Sequence, residues 1–314
     1  MKTNIFFMIG LVALLLVISG CNNITGKVTY DSKNNAQTEQ KTESIEITGS
    51  DTMLQVVSSL AEAYKTENSN TRISVTGGGS GTGIASLING DIDIADSSRK
   101  IKDTELAQAK EKGLEVIEVP IARDTLSVIV FPSNPVKQLT IEQLSQIYSG
   151  KIKNWKEVGG NDMKITLYGR QSTSGTYTYF MEEVVKGEYS PEMRNMEGNQ
   201  AIVDAVSQDK SGVGYVGIGY VLDLNKKPIT TINAIKVAKT NNSEYITPLL
   251  EANVDSYPIS RELFQYLAQK PSKDSVVYDY IMFVLSDKGQ KVVEDSGFIQ
   301  LNEAKKNQII QKLT

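Results

Sequence analysis

The chain has 314 residues, 40% of them hydrophobic and 22% charged, with a formal net charge of −4, one cysteine and no histidine. This composition suits one large globular domain or two of moderate size. It excludes a disulfide framework, a metal site built from His or Cys, and binding to nucleic acid, which would need clustered Lys and Arg.

In chain order the first predicted element is the apolar run at residues 5–19, IFFMIGLVALLLVIS, behind Lys2. It is short for a permanent membrane span and has the charge-then-hydrophobe order of a secretory signal, so residues 1–20 are assigned to a signal peptide. The run leads into VISGC, where small residues precede Cys21. That order predicts cleavage before Cys21 and acylation of its thiol; the alternative is an ordinary signal that happens to end near a cysteine. Cleavage removes Lys2 and takes the net charge from −4 to −5. The polar stretch that follows, up to residue 44, lacks sustained periodicity and is either a tether holding the body off a membrane or a plain disordered N-terminus.

From residue 45 short β-branched runs alternate with helical patterns. SIEIT is a strand, Met53 to Tyr64 a helix with Leu54, Val57, Leu60, Ala61 and Tyr64 at helical spacing, RISVT a strand, and Ile84 to Ile88 a short helix. DIDIA then predicts a strand, Thr104 to Lys112 a polar helix, and LEVIEVPIA another strand. The order implies an α/β fold with helices on the faces of open sheets, whose ligands sit beyond the carboxyl ends of the strands. Residues 123–136 predict an extended crossover, after which the pattern restarts. There follow a helix at Ile141 to Tyr148, a loop carrying Trp155, the strand KITLYGR, the helix QSTSGTYTYFMEEVV, and GVGYVGIGYV, a strand whose glycines serve close packing. A second extended passage, YPISRELFQYLAQ, returns the chain, so two lobes are expected: residues 45–123 with 259–314, and residues 124–258.

Three strand-to-helix turns, TGSDT, TGGGSGTG and ADSSR, carry small polar residues that one sheet edge would bring together: Asp51, Thr52, Ser80, Ser98 and Arg99. A fourth, in the second lobe, offers Arg170, Ser174, Gly175 and Thr176. Glycines without Cβ atoms, helix N-termini and a guanidinium fork all suit a tetrahedral oxyanion. Each turn taken alone is better explained as a helix cap, and it is the three in a row facing one crevice that favour a ligand.

These motifs in this order, GSDTM, GGGSGTG, DIADSSRKI, SQIYSGKIKNW, GRQSTSGT, GVGYVGIGY and YPISR, resemble the substrate-binding lipoproteins of phosphate ABC transporters from residue 45 to the end. The resemblance implies a two-lobed, periplasmic-binding-protein-like (Venus flytrap) fold. Its cleft encloses inorganic phosphate through hydrogen bonds and one arginine, with no metal and no cofactor. The carried-over ligands are Asp51, Thr52, Ser80, Ser98 with Arg99 beside it, Arg170, Ser174, Gly175 and Thr176. It also implies a monomer anchored by lipid at Cys21 to the outer face of the cytoplasmic membrane, with transporter permease subunits as partners. Some members carry aspartate where this chain has Ser98, and an acid where it has Ser172. Asp51 is therefore either the acceptor of the phosphate proton, moved from the third turn to the first, or a cap on the following helix.

Enzymatic readings lack a catalyst. There is no histidine, Thr82 occupies the last glycine position of a G-x-S-x-G elbow, and Ile84 stands where a P-loop needs lysine. In DIDIAD, Ala95 falls at the third ligand position of a calcium loop. A Ser–Lys hydrolase, a phosphate-sequestering surface lipoprotein, and a binder of sulfate or molybdate are the remaining alternatives.

Overall fold

The computed structural model describes residues 43–223, 225–249 and 253–314. The predicted signal, Cys21 and all but the last two residues of the predicted tether lie outside them. Strand β1 (Glu43–Gly49) buries Ile45 and Ile47 and turns Glu46 outward, the alternation of a strand with one core face. Helix α1 (Leu54–Glu67) buries Val56, Val57, Leu60, Ala61 and Tyr64 on one stripe. Strand β2 (Thr71–Thr76), helix α2 (Ser80–Asn89), strand β3 (Ile94–Ser97), helix α3 (Asp103–Glu111) and strand β4 (Ile117–Thr125) follow. The DIDIA strand starts later than its sequence pattern suggests. Gly90 closes α2 in the left-handed region, and Asp93 accepts a hydrogen bond from the Glu46 N–H, so the ladder begins only where Ile94 meets Ile47.

The second lobe opens with β5 (Ser127–Val130), β6 (Gln138–Thr140) and α4 (Ile141–Tyr148), the last entered through a capping box between Thr140 and Gln143. Strand β7 (Thr166–Arg170), helix α5 (Gly175–Phe180), strand β8 (Arg194–Met196), helix α6 (Asn199–Gln208) and strand β9 (Gly212–Val216) come next. The helix predicted through Val185 is α-helical only to Phe180 and continues as a π-turn, ending at Lys186 with a φ of 54°. The glycine-rich strand also ends early: after Val216 the chain passes Gly217 into a 3-10 turn over Ile218–Tyr220. Short strands β10 (Asn233–Ala234) and β11 (Lys236–Ala238) precede β12 (Ser260–Leu267), and helices α7 (Val276–Leu285), α8 (Asp287–Asp295) and α9 (Glu303–Leu313) complete the described residues.

Two five-stranded sheets result, ordered β2-β1-β3-β12-β4 and β10-β5-β9-β7-β8. In the first, β1 pairs in parallel with β2 and β3, with Ile47 opposite Val75 and Ile94, while β12 runs antiparallel between β3 and β4. Chain from beyond residue 259 therefore lies in the middle of the sheet begun at residue 43. Parallel pairing sends the carboxyl ends of β1, β2 and β3 to one edge, and β7, parallel to β9, delivers the turn at 171–174. The cores hold mostly Ile, Leu, Val and aromatic side chains, each contributing about 1.5–3 kcal/mol on burial. Among the described residues no helix is long and apolar enough to cross a membrane, and no group of His, Cys, Asp and Glu is arranged to hold a metal ion.

Candidate functional site

The turns after β1, β2, β3 and β7 meet. Gly79 has a φ of 95°, and a Cβ there would lie 2.6 Å from the carbonyl oxygen of Thr173 in the opposite lobe, so the glycine is required both by conformation and by close approach. The Gly81 N–H donates to the same carbonyl at 3.0 Å. Gly175 faces Ser80 and Ser98 with no room for a side chain between them. Backbone thus comes within reach of backbone between the two lobes, and hydroxyls from both gather beside that contact.

Thr52, Ser80, Ser98, Ser174 and Thr176 are all buried. Thr176 Oγ1 lies 2.9 Å from Thr52 Oγ1 and 3.3 Å from Ser98 Oγ, and Ser80 Oγ lies 3.4 Å from Ser98 Oγ. Several of these oxygens already accept from fixed N–H groups. Ser80 Oγ takes the Ser98 N–H at 3.1 Å, Ser174 Oγ caps α5 by taking the Tyr177 N–H at 3.4 Å, and Thr52 Oγ1 takes Asn199 Nδ2 at 3.3 Å. Each keeps its own proton free to donate elsewhere.

Arg170 is the charged member of the group, with a side chain 2% exposed. Its Nη2 donates to Asp51 Oδ2 at 2.5 Å and to the Glu197 carbonyl at 3.1 Å, whereas Nε and Nη1 are buried without a hydrogen-bond partner among the described residues. Buried guanidinium N–H groups are costly to leave unmade, and these two match two oxygens of an oxyanion. The backbone N–H of Arg170 donates to the Tyr215 hydroxyl at 3.3 Å, and burial pushes that phenol up to about 12, keeping it neutral.

Asp51 does not cap α1: the cap position is Met53, which has no side-chain bond. The carboxylate instead accepts the Gly78 N–H at 3.0 Å with Oδ1 and bridges to Arg170 with Oδ2, tying the glycine loop of one lobe to the guanidinium of the other. Tyr220 donates to the Asp51 carbonyl at 2.7 Å. Arg99 stands apart from the hydroxyl cluster. Its guanidinium makes a two-point pair with Glu105, at 2.8 and 2.6 Å, and lines a hollow of about 600 Å³ with Tyr179, Glu182, Glu183 and Glu262. Burial raises the Glu105 pKa, but the hydrogen bonds from Arg99 and Lys102 outweigh it and leave the carboxyl below its usual range.

Four residues absent from the sequence-predicted set complete the cluster: Asp124, Asn199, Tyr220 and Arg261. Asp124 and Arg261 form a buried ion pair at 2.8 Å. Arg261 also reaches Ser98 and Thr176. YPISR carries Arg261 in plain view, but nothing in the sequence says that β12 runs beside β3. Tyr220 follows from the early end of β9, which strand periodicity does not reveal, and Asn199 opens α6 after the short strand β8.

Hydroxyls and one under-bonded guanidinium, gathered from the strand ends of two α/β lobes, make a donor set suited to a small oxyanion. The chain belongs to the PBP superfamily, whose domain profile matches residues 34–288. It is 34% identical over 270 residues to the phosphate-binding protein PstS of Pseudomonas aeruginosa, covering 81% of each chain. It is 37% identical over 260 residues to that of Staphylococcus aureus (strain USA300), covering 81% of this chain and 77% of the relative. Its fold is similar to an ABC transporter substrate-binding protein from Clostridium perfringens solved with bound phosphate, with a TM-score of 0.72, 31% identity, and coverage of 83% of this chain and 100% of the other. An ABC-type phosphate transport receptor from Vibrio cholerae is similar with a TM-score of 0.64 and 28% identity, covering 82% and 100%.

Proposed function

We propose that this protein captures inorganic phosphate between its lobes and delivers it to the permease of an ABC transporter, acting as a monomer held by lipid on Cys21 at the outer face of the cytoplasmic membrane. The observation that carries the reading is the Arg170 guanidinium, buried with Nε and Nη1 unpartnered among the described residues, beside hydroxyls from both lobes. The relatives named for phosphate support the choice of ion. In this reading the lobes are residues 45–123 with 259–314 and residues 124–258. The ligands are Thr52, Ser80, Ser98, Arg170, Ser174, Gly175 and Thr176, and Asp51 sets Arg170 in place. Arg99 belongs to the rim, through its pair with Glu105. The protein binds without turning over its ligand.

Isothermal titration of the purified protein against phosphate, sulfate and molybdate tests this. Heat with phosphate and none with sulfate at the same concentration is expected. Preference for sulfate or molybdate, or release of phosphate from a chromogenic ester, would overturn it.

A further inference from the structure

Arg261 stands at the head of β12, almost wholly buried, and its guanidinium touches both lobes. Nε and Nη2 donate to Asp124 Oδ2 at 3.0 and 2.8 Å, while Nη1 donates to the Ser98 carbonyl at 3.0 Å and to Thr176 Oγ1 at 3.1 Å. The Tyr179 ring lies beneath it, 5.3 Å from ring centroid to guanidinium carbon. Asp124 is fixed in turn, since its Oδ1 accepts the Ile218 N–H at 2.9 Å. Every nitrogen of Arg261 is therefore engaged by protein, the opposite of Arg170.

A guanidinium can only donate. Thr176 Oγ1 must therefore accept from Arg261, and its own proton is left to point elsewhere. Thr52, 2.9 Å away, is treated alike by Asn199, whose amide orientation is set by the Gly217 N–H donating to its Oδ1 at 3.3 Å. The two facing threonines thus each have a fixed donor behind them. We propose that Arg261 is a positioning residue for anion binding: it does not ligate the oxyanion but holds the Thr176 hydroxyl as a donor toward it. The inference rests on the phosphate reading above. It makes Arg261 a determinant of hydrogen-bond polarity in the site, separate from the charge that Arg170 supplies.

The test is a mutant cycle read by phosphate titration calorimetry on the full chain. Arg261→Lys keeps the charge and can still pair with Asp124, but a single ammonium lacks the fork that reaches Thr176 at the same time. It should weaken phosphate binding about tenfold, the lower end of what a charge-assisted hydrogen bond supports. In a Thr176→Val background, where no hydroxyl remains to be oriented, the same change should alter affinity by less than about twofold. In a Thr176→Ser background, where a hydroxyl returns, the tenfold loss should return with it. Because an orphaned Asp124 could unfold the protein, Asp124→Asn/Arg261→Gln is carried through the same backgrounds with thermal melts, and the same dependence on the hydroxyl is expected. Equal losses in all three backgrounds, or wild-type affinity in Arg261→Lys, would overturn the proposal while leaving phosphate binding intact. A wild-type protein that gives no heat with phosphate would instead refute the function on which the proposal rests.

Discussion

Replacing Arg170 by methionine removes the guanidinium whose Nε and Nη1 have no hydrogen-bond partner among the described residues. Nε and Nη1 each offer one charge-assisted bond to a bound oxyanion, and such bonds contribute about 1.5–3 kcal/mol apiece. Losing both weakens phosphate binding by at least about 150-fold, since each 1.4 kcal/mol is a factor of ten. Asp51 adds to the loss, because its carboxylate, 20% exposed and no longer paired, then faces the anion. Folding responds differently. The variant loses the bonds to Asp51 and the Glu197 carbonyl, which water can partly replace, and is relieved of two buried nitrogens that lack partners, so Tm without ligand should stay within about 3 °C of wild type. Titration calorimetry and thermal unfolding in phosphate-free buffer measure the two quantities separately. Arg170→Lys should recover part of the affinity, as it restores charge but not the fork. Arg170→Met that binds within about threefold of wild type would show that the unpartnered nitrogens do not meet the ligand, and the reasoning would fail.

Asp51→Asn keeps an oxygen for the Gly78 N–H but presents an amide to Arg170. It should lose about tenfold or more in phosphate affinity and gain measurable sulfate affinity, because a carboxylate that repels a fully ionised anion is gone; an unchanged phosphate-to-sulfate ratio would rule Asp51 out of selectivity. Asp96 is pushed up to about 8, chiefly by burial and against the hydrogen bond from Gln265. Its folded-state pKa is raised above the unfolded one, so its contribution to stability is full below about pH 4 and is lost as pH rises toward 8, at up to about 1.4 kcal/mol per pH unit. Asp96→Asn should flatten urea-unfolding stability across that window and exceed wild type at pH 8, whereas parallel curves would mean the group is ionised throughout. Cys21→Ala should move the protein from the membrane fraction to the soluble one; unchanged fractionation, with no acyl mass on the wild type, would remove the lipid anchor.

Local chemistry made the strand ends legible. Ser80, Ser98 and Arg170 follow β-branched runs and precede helical ones, and parallel pairing of β1 with β2 and β3 is enough to gather the first-lobe turns. Partner choice was not legible in the same way. Arg99 and Arg170 both follow a strand beside small hydroxyl residues, yet Glu105, two turns of chain further on, takes Arg99 out of the cluster through α3. Asp51 sits where a cap would, and only the φ of 117° at Gly78 and the approach of β7 from the other lobe explain why its carboxylate serves the glycine loop and Arg170. Arg261 and Asp124 lie 137 residues apart, and their pairing depends on β12 entering between β3 and β4, a long-range event with no periodic signature.

The two arginines and two carboxylates of the crevice balance formally: Arg170 with Asp51, Arg261 with Asp124. A neutral crevice in a chain of net charge −4 exerts little long-range attraction on an anion. Affinity must then come from short-range donors, and the distribution of bonds decides which. Arg261 has every nitrogen bonded to protein and serves to arrange its neighbours, whereas Arg170 has two nitrogens without a partner among the described residues and can bind. The hydroxyls of Thr52, Ser80, Ser174 and Thr176 each accept from a fixed nitrogen, so their protons are theirs to donate, to one another or to an anion. A fully hydrated anion would gain nothing by exchanging water for one such donor. It gains by meeting all of them at once in a place where water is excluded and each bond is stronger, and that requires both lobes, because Thr52, Ser80 and Ser98 come from one while Arg170, Ser174 and Thr176 come from the other.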